Sequence, residues 1–298
     1  MKLLYYPGCT LKTSAKNLEK TAMTVTKALG YDLVEMKDWN CCGVVSSLTS
    51  DDLMRHLAPL RVLIHVEDER ESKVITLCDM CYNTLRQTNL RVQENLEDLK
   101  TLNLFMDREN DYKGTVTVVH FLEFLRDEIG FDVLKKKVKN PLKGIKIMPY
   151  YGCMLLRPRE VSIDDPEDPR IFDNLLIALG AEVVDNPFKI ECCGSYHTVE
   201  QKEIVSRRAH RITSYALDQG ADAIVLSCPL CRFNLDMRGK EAEKLYQGYK
   251  QIPVFYYTQL IAVALGLDQN TYGFEQHIVD PTLLLKKKGV LESKMMKI

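Results

Sequence analysis

The sequence lacks a charge excess, a long apolar run and a glycine-rich nucleotide motif. Its 40 lysines and arginines nearly balance 41 aspartates and glutamates, so no global field attracts nucleic acid or an anionic membrane. The longest apolar stretch, 252–266, contains Gln259 and is too short to span a bilayer, and the N-terminus lacks the apolar run of a signal peptide. Without Gly-x-Gly-x-x-Gly, the chain has no flavin or nucleotide fingerprint. We therefore expect a soluble, cytoplasmic protein that binds neither nucleic acid nor membrane.

Cysteine, in contrast, is abundant: the 298 residues include ten, which divide into two sets of five with none left over. Each set has a lone cysteine, an adjacent pair followed by glycine, and a C-x-x-C pair. The gaps agree, with 31 and 38 residues before the adjacent pair and 35 and 34 after it. In a reducing cytoplasm such a pattern favours metal binding or redox chemistry over disulfides. The first set is Cys9, Cys41, Cys42, Cys78 and Cys81, and the second is Cys153, Cys192, Cys193, Cys228 and Cys231.

The two halves repeat beyond their cysteines, which indicates a duplicated domain. LYYPGC at 4–9 is matched by MPYYGC at 148–153, and the ALG at 28–30 is matched by another at 178–180. We predict an N-terminal domain over 1–140 and a C-terminal domain with a tail over 144–298. The charged connector 132–143 is predicted to be the linker, with its lysines at 135–137 forming a solvated face.

Strand-like and helix-like segments alternate through each half, which predicts an α/β fold. Each domain is expected to be a mainly parallel sheet flanked by helices, with the cysteines at strand ends, where such sheets bind ligands. The tail after Asp268, including Lys286 and Met295, has no repeat partner, and a docking arm and a partly ordered terminus both remain open for it. Strands are predicted over 2–6, 32–36, 73–77, 145–151, 181–184 and 223–227, helices over 15–29, 171–179 and 201–217, and a strand running into a helix over 115–125 and 252–260.

Thiolates bind zinc or iron-sulfur clusters, and the spacing favours clusters. Structural zinc takes four ligands, usually as two short-spaced pairs, whereas each set here has five cysteines and a single C-x-x-C. Adjacent side chains point in different directions, so an adjacent pair facing one centre must bind different iron atoms or bridge two. Gly43 and Gly194 would let the backbone approach a cluster without a Cβ clash. Because a cubane needs four thiolates, either one cysteine is spare in each half or the cluster is not an ordinary cubane.

This cysteine pattern resembles the cysteine-rich CCG domain, and the two-copy chain is similar to the family of the B component of heterodisulfide reductase from methanogenic archaea. The resemblance runs from Lys2 to about Leu265 and includes all ten cysteines. Related tandem domains occur in lactate and glycolate oxidase iron-sulfur subunits, in a form of succinate dehydrogenase and in thiol-dependent fumarate reductase. Those subunits often carry a ferredoxin module with C-x-x-C-x-x-C spacing, which this chain lacks.

The resemblance implies a disulfide reductase with two non-cubane [4Fe-4S] clusters, one held by each set of five cysteines. The substrate in that family is the mixed disulfide of coenzyme M and coenzyme B, which sits between the clusters and is reduced to two thiols. Electrons are supplied by two further components of the heterodisulfide reductase, the iron-sulfur C component and the A component with flavin and iron-sulfur clusters. A hydrogenase or formate dehydrogenase lies upstream of them. Each cluster would give one of the two electrons that a disulfide requires.

Because that substrate is anionic, basic side chains should line its entry. The candidates, each with a solvated surface role as the alternative, are Lys12, Arg157, Arg159, Arg207, Arg208 and Arg211. His197 would donate to a sulfur or be an ordinary loop residue, and His120 is predicted to be packed and hydrogen-bonded. Two other functions stay open, namely a non-catalytic electron-transfer subunit of a lactate-oxidase-like or succinate-dehydrogenase-like complex and a zinc-stabilised scaffold.

Overall fold

Two parallel sheets of four strands form the framework of the protein. The structure, a computed structural model, describes residues 1–45 and 52–291. The first sheet contains β1 (Lys2–Tyr6), β2 (Asp32–Glu35), β3 (Lys73–Thr76) and β4 (Thr117–His120), and the second contains β5 (Lys146–Pro149), β6 (Glu182–Val183), β7 (Ala223–Leu226) and β8 (Val254–Tyr256). The strand orders are β2-β1-β3-β4 and β6-β5-β7-β8, and every pairing is parallel. The predicted fold class is therefore confirmed.

Helices connect the strands and cover the sheets. They are α1 (Gly8–Leu11), α2 (Lys16–Ala28), α3 (Leu57–Asp68), α4 (Asp79–Glu94), α5 (Leu96–Leu104), α6 (Phe121–Phe124), α7 (Phe131–Lys137), α8 (Ile171–Leu179), α9 (Lys202–Asp218), α10 (Pro229–Arg232), α11 (Gly239–Leu245), α12 (Tyr257–Ala264) and α13 (Thr282–Lys287). π-helical turns at Leu125–Ile129 and Phe233–Met237 extend α6 and α10. The predicted helix over 171–179 matches α8 at both ends, and the other predicted helices and strands agree within a few residues. In the described ranges, no helix has the length and apolar character needed to cross a bilayer.

The residue pattern explains why these segments take these conformations. In α2, Leu18, Ala22 and Val25 recur at helical spacing and are all fully buried, so the helix gains its stability by packing this face into the core. In β7, all four residues are apolar or small and all are buried, as expected of a parallel strand covered on both faces.

The strand register brings the cysteine motifs of each half to one edge of its sheet. Tyr6 at the end of β1 pairs with Thr76, and Thr76 pairs with His120 at the end of β4. The second sheet repeats this alignment, since Leu226 pairs with Tyr256. Because the lone cysteine and the C-x-x-C pair follow these strand ends, they come together without any unusual backbone path.

The two halves pack against each other through helices of both. Helix α12 of the second half lies on α2 of the first half, and the hydroxyls of Thr21 and Thr258 are 2.7 Å apart in this buried contact. Helix α7 packs on α8, and it contains the first part of the predicted linker, which therefore lies against the second half. This helix buries Leu134 and leaves the lysines at 135–137 exposed. The domain boundaries at 1–140 and 144–298 stay a prediction.

The described part of the tail forms hydrogen-bond contacts with both halves. His277 lies between the first and second halves, with its Nε2 atom 3.2 Å from Asn17 Nδ2 and 2.9 Å from Gln259 Nε2. Buried Asp236 accepts hydrogen bonds from the backbone N–H groups of Ile278 and Val279. The tail is thus a structural element up to residue 291, whereas the methionines at 295–296 lie outside the described residues.

Candidate metal centres

The five cysteines of each half come from three segments that follow strand ends. Cys9 lies in α1, directly after β1, and Cys78 is the N-cap of α4, directly after β3. Cys228 is likewise the N-cap of α10, directly after β7. The adjacent pairs lie in the loops that follow β2 and β6. Each C-x-x-C therefore places its first thiol at the end of a strand and its second within the first helical turn.

In the first half, four of the thiols form a chain of hydrogen bonds, and the fifth lies beside its end. Cys42 contacts both Cys41 and Cys81, and Cys81 contacts Cys78. The Cys9 sulfur is 3.9 Å from that of Cys41, so the order is Cys9, Cys41, Cys42, Cys81 and Cys78. Cys9 and Cys41 are exposed, whereas the other three are buried.

The second half repeats this chain in the same order. Cys192 contacts Cys153 and Cys193, Cys193 contacts Cys231, and Cys231 contacts Cys228. In both halves each sulfur therefore contacts at least one other. In the described part of the chain no three His, Cys, Asp or Glu side chains are arranged around one metal ion. A row of neighbouring thiols suits a centre of several metal atoms, in which adjacent sulfurs bind different atoms.

Within each chain of five thiols, only some of the thiols can ionise unless a metal is bound. Hydrogen bonds from Cys41 and Cys81 lower the pKa of Cys42 to about 4, and those from Cys153 and Cys193 lower the pKa of Cys192 to about 2. The hydrogen bond to Cys192 in turn raises the pKa of Cys193 to about 12, with burial adding to the effect. A thiolate in one position therefore keeps its neighbours protonated, and positive metal charge would remove this restriction.

Glycines that precede the lone cysteines allow the sulfurs to pack closely. Gly8 and Gly152 have φ angles of +65° and +66°, which disfavour any side chain. A Cβ atom would lie 2.9 Å from Cys81 Sγ at Gly8 and 3.1 Å from Cys231 Sγ at Gly152. The approach of Gly43 and Gly194 to a cluster stays a prediction. Gly194 has a φ of +85°, and a Cβ there would meet atoms of Val205 and Arg208 in α9.

Further polar groups support the second chain of thiols. Asn234 Nδ2 donates to the Cys193 sulfur and carbonyl oxygen, at 3.3 Å in both cases. Arg208 Nη1 donates to the Cys192 carbonyl oxygen at 3.2 Å. Arg208 was a predicted basic candidate, whereas Asn234 carried no motif that could have identified it.

A buried polar network connects the two C-x-x-C motifs across the interface between the halves. Asp79, directly after Cys78, accepts a hydrogen bond from Ser227 Oγ at 2.9 Å, and Ser227 directly precedes Cys228. His120 Nε2 is 3.3 Å from Asp79 Oδ1, and all three side chains are at most 1% exposed. The packed, hydrogen-bonded role predicted for His120 is confirmed by its contacts with the Leu77 carbonyl oxygen and the Leu122 N–H, whereas the Asp79–Ser227 contact across the interface was not foreseen.

A cavity of about 210 Å³ is lined by residues of both halves. Its wall includes Gly43, directly after Cys42, and Met154, directly after Cys153. We call it the inner cavity, and its described lining residues are Gly43, Val44, Arg55, His56, Asn83, Thr84, Gln87, Thr88, Met154, Arg157 and Tyr196. Of the six basic candidates, Arg157 alone belongs to this set.

The other basic candidates lie elsewhere. The Nζ atom of Lys12 lies 2.5 Å from a carboxylate oxygen of Glu19 and 2.6 Å from one of Glu35, so these two carboxylates balance its charge. Arg211 stacks on Phe188, with its guanidinium carbon 4.4 Å from the ring centroid. Arg159, Arg207 and His197 are exposed.

The comparisons with known proteins agree with this duplicated architecture. The family model of the cysteine-rich CCG domain matches residues 3–86 and 147–236. The chain is 29% identical to the 8-methylmenaquinol:fumarate reductase membrane anchor subunit of Wolinella succinogenes, over 94% of this chain and 98% of that one. It is 31% identical to the B component of the ferredoxin/F420H2-dependent CoB-CoM heterodisulfide reductase of Methanosarcina acetivorans, over 96% of each chain.

A solved structure shares the fold. A hypothetical protein from Helicobacter pylori aligns with a TM-score of 0.75 at 12% identity, covering 93% of this chain. The present chain spans about half of that protein's length, since the alignment covers 51% of it. At this identity the match supports the fold alone.

Proposed function

The chain belongs to the cysteine-rich CCG domain family, and from this premise we propose that it is the catalytic subunit of a cytoplasmic heterodisulfide reductase. Each chain of five thiols would hold a non-cubane [4Fe-4S] cluster. Cys9, Cys41, Cys42, Cys78 and Cys81 would hold the first, and Cys153, Cys192, Cys193, Cys228 and Cys231 would hold the second. Three observations support the fit: five sulfurs in the same order in both halves, glycines whose Cβ would meet a sulfur, and Asn234 donating to Cys193.

The inner cavity is the observation that carries the proposal. A disulfide has two sulfur atoms, and the wall of this cavity includes one residue next to a cysteine of each half, Gly43 and Met154. An S–S bond bound there would lie between residues of both halves. The duplication then has a chemical reason, because reduction of one disulfide needs two electrons.

The overall reaction converts one disulfide, two electrons and two protons into two thiols. When bound, the two clusters would supply these electrons, one from each half. The residues of this chain do the rest: Val44 and Met154 provide apolar surface that displaces water, and Arg157 provides positive charge for an anionic substrate. The buried contact between Asp79 and Ser227 holds the two C-x-x-C motifs at a fixed separation.

The names of two relatives support a proposal for the substrate and partners. The Methanosarcina protein is named as part of a CoB-CoM heterodisulfide reductase, so we propose the mixed disulfide of coenzymes M and B as substrate. The C and A components of such a reductase, with a hydrogenase or formate dehydrogenase upstream, would supply the electrons. Both relatives are named as subunits of reductases, which supports a complex of several chains.

The proposal is tested by single-turnover reduction. Anaerobically purified protein that has been chemically reduced is mixed with the coenzyme M–coenzyme B disulfide, and released thiols are counted with a thiol reagent. We expect about one disulfide consumed and two thiols released per protein chain, because each half delivers one of the two electrons. The Cys193→Ser variant is the matched control and should release none. Unchanged disulfide in the presence of fully loaded, reduced protein would overturn the proposal.

A second function is supported by the Wolinella relative, which is named as a subunit of a fumarate reductase. In that case the chain would pass electrons between partners without binding a disulfide. Addition of a thiol to the oxidised protein separates the two functions. A change in the cluster absorption or electron paramagnetic resonance spectrum favours the reductase, and an unchanged spectrum favours the electron-transfer role.

The glycine preceding each lone cysteine leads to a testable prediction about metal loading. We expect Gly152→Ala to lower the iron and acid-labile sulfide content of the second half, because the new Cβ would lie 3.1 Å from Cys231 Sγ. Strain from the positive φ adds about 1–2 kcal/mol of destabilisation. Gly248→Ala is the matched control, since Gly248 has a φ of +80° but no atom within 4 Å of the position that a Cβ would take. Equal iron content in both variants would contradict the role of Gly152.

A further inference from the structure

The inner cavity has a distinctive charge. In the part of the chain that the structure describes, its wall contains Arg55 and Arg157 but neither aspartate nor glutamate. Each arginine has a partner outside the wall, Asp52 at 2.9 Å for Arg55 and Glu167 at 3.2 Å for Arg157. Because both carboxylates are more than half exposed and lie outside the wall, the charge that the wall itself presents to a ligand is positive.

His56 contributes a buried polar group to the same wall. Its side chain is 4% exposed, and its Nδ1 atom is 2.7 Å from Thr88 Oγ1. Its Nε2 atom has no hydrogen-bond partner among the described residues. His56 and Arg55 also line an outer cavity of about 370 Å³, so His56 borders both cavities.

The contact with Thr88 determines which nitrogen of His56 carries the proton. Within residues 1–45 and 52–291, the Thr88 hydroxyl has no other hydrogen-bond partner. If it donates to Nδ1, the only group of the pair without a partner is Nε2–H. If Nδ1 carried the proton instead, both the Thr88 hydroxyl proton and the Nε2 lone pair would lack partners. The first arrangement costs less, because each buried polar group without a partner is destabilising.

The charge state of His56 is consistent with a hydrogen-bond donor that stays neutral. Burial, followed by the charges of Arg55 and Arg91, lowers the pKa of His56 to about 4. At neutral pH the ring therefore has one proton, which the Thr88 contact places on Nε2. A buried N–H without a partner is satisfied when a ligand or water in the cavity accepts its hydrogen bond.

We propose that the inner cavity binds the anionic end of a small thiol or disulfide, with His56 Nε2–H donating a hydrogen bond to the anion and Arg157 supplying positive charge. The identification of this ligand with the reductase substrate rests on the proposed function, whereas the binding itself does not. His56 is thus a substrate-binding residue that lies outside the cysteine motifs. It would favour anionic thiols over uncharged ones.

Equilibrium binding tests this proposal without turnover. The full, cluster-loaded protein is titrated by calorimetry with 3-mercaptopropionate and, separately, with uncharged 2-mercaptoethanol. We expect the anionic thiol to bind more tightly, and His56→Phe to weaken its binding by about 10- to 100-fold, the usual effect of a lost hydrogen bond to a charged group. Binding of 2-mercaptoethanol should change little in the same variant.

Two further variants separate a ligand contact from a structural role. His56→Gln places an amide donor near the Nε2 position and should keep most of the affinity for the anion. Thr88→Val removes the contact that keeps the His56 proton on Nε2 and should weaken anion binding. Arg157→Gln should weaken binding of the anionic thiol only. Equal affinities for the two thiols in the natural protein, or a His56→Phe variant that folds and binds the anion normally, would overturn the proposal. Tight anion binding by a protein that reduces no disulfide would leave this site intact and remove the proposed function instead.

Discussion

Replacement of Cys42 by serine is expected to lower the iron and acid-labile sulfide content from about eight to about four of each per chain. Cys42 is the central thiol of the first chain, and hydrogen bonds from Cys41 and Cys81 lower its pKa to about 4. Without it the first half loses this central thiolate, while the second half has its own five sulfurs. The measurement is iron and sulfide per chain on anaerobically purified protein.

The same variant should lose disulfide reduction by more than about 100-fold, because substitutions of residues that merely support a metal ligand already cost about 10- to 100-fold. Cys193→Ser should have the mirror-image effect and remove the metal of the second half. Met80→Leu is the matched control, because Met80 is buried between Cys78 and Cys81 of the first half but provides no thiolate. Loss of all iron from Cys42→Ser would mean that the halves do not load independently, and about eight iron atoms would mean that Cys42 is the spare thiol. Zinc without sulfide in the unsubstituted protein would exclude both the disulfide reductase and the electron-transfer subunit.

Much of the fold follows from local sequence pattern. The helix over 171–179 and the strand over 2–6 agree with the structure at both ends because a short apolar segment and a following glycine or proline define each of them. The convergence of the cysteines was also predictable, since parallel strands bring their carboxyl ends to one edge. The role of Gly8 had a signal in the sequence, because a glycine precedes the lone cysteine in both halves.

The parts that could not be predicted depend on contacts between the halves. His56 lies in no cysteine motif, and its position beside Met154 and Arg157 results from the packing of the first half against the second. The tail likewise reaches Asn17 across more than 250 residues of sequence. Such contacts leave no periodicity and no short motif, because each partner only has to be polar and correctly placed. Duplication further conceals them, since Asp79 has Pro229 rather than a second aspartate at the matching position.

The interface between the halves should be most sensitive at Asp79. We expect Asp79→Ala to lower the free energy of unfolding by about 3–5 kcal/mol, the usual cost of removing one partner of a buried ion pair or charged hydrogen bond. Asp79 is 1% exposed, lies 3.3 Å from His120 Nε2 and accepts from Ser227 at 2.9 Å, so its loss leaves Ser227 without its acceptor. Denaturant unfolding of anaerobic, fully loaded protein measures the change.

A double-mutant cycle identifies the contact that holds the two C-x-x-C motifs together. Asp79→Ala and Ser227→Ala should be coupled by about 0.5–3 kcal/mol, because each side chain is the other's partner across the interface. Asp79→Asn should cost less than Asp79→Ala, since the amide oxygen can still accept from Ser227. Iron content should stay unchanged in all three variants, because neither residue belongs to the thiol chains. Additive effects would show that the Asp79–Ser227 contact does not hold the halves together, and loss of iron would instead connect Asp79 with the metal centres themselves.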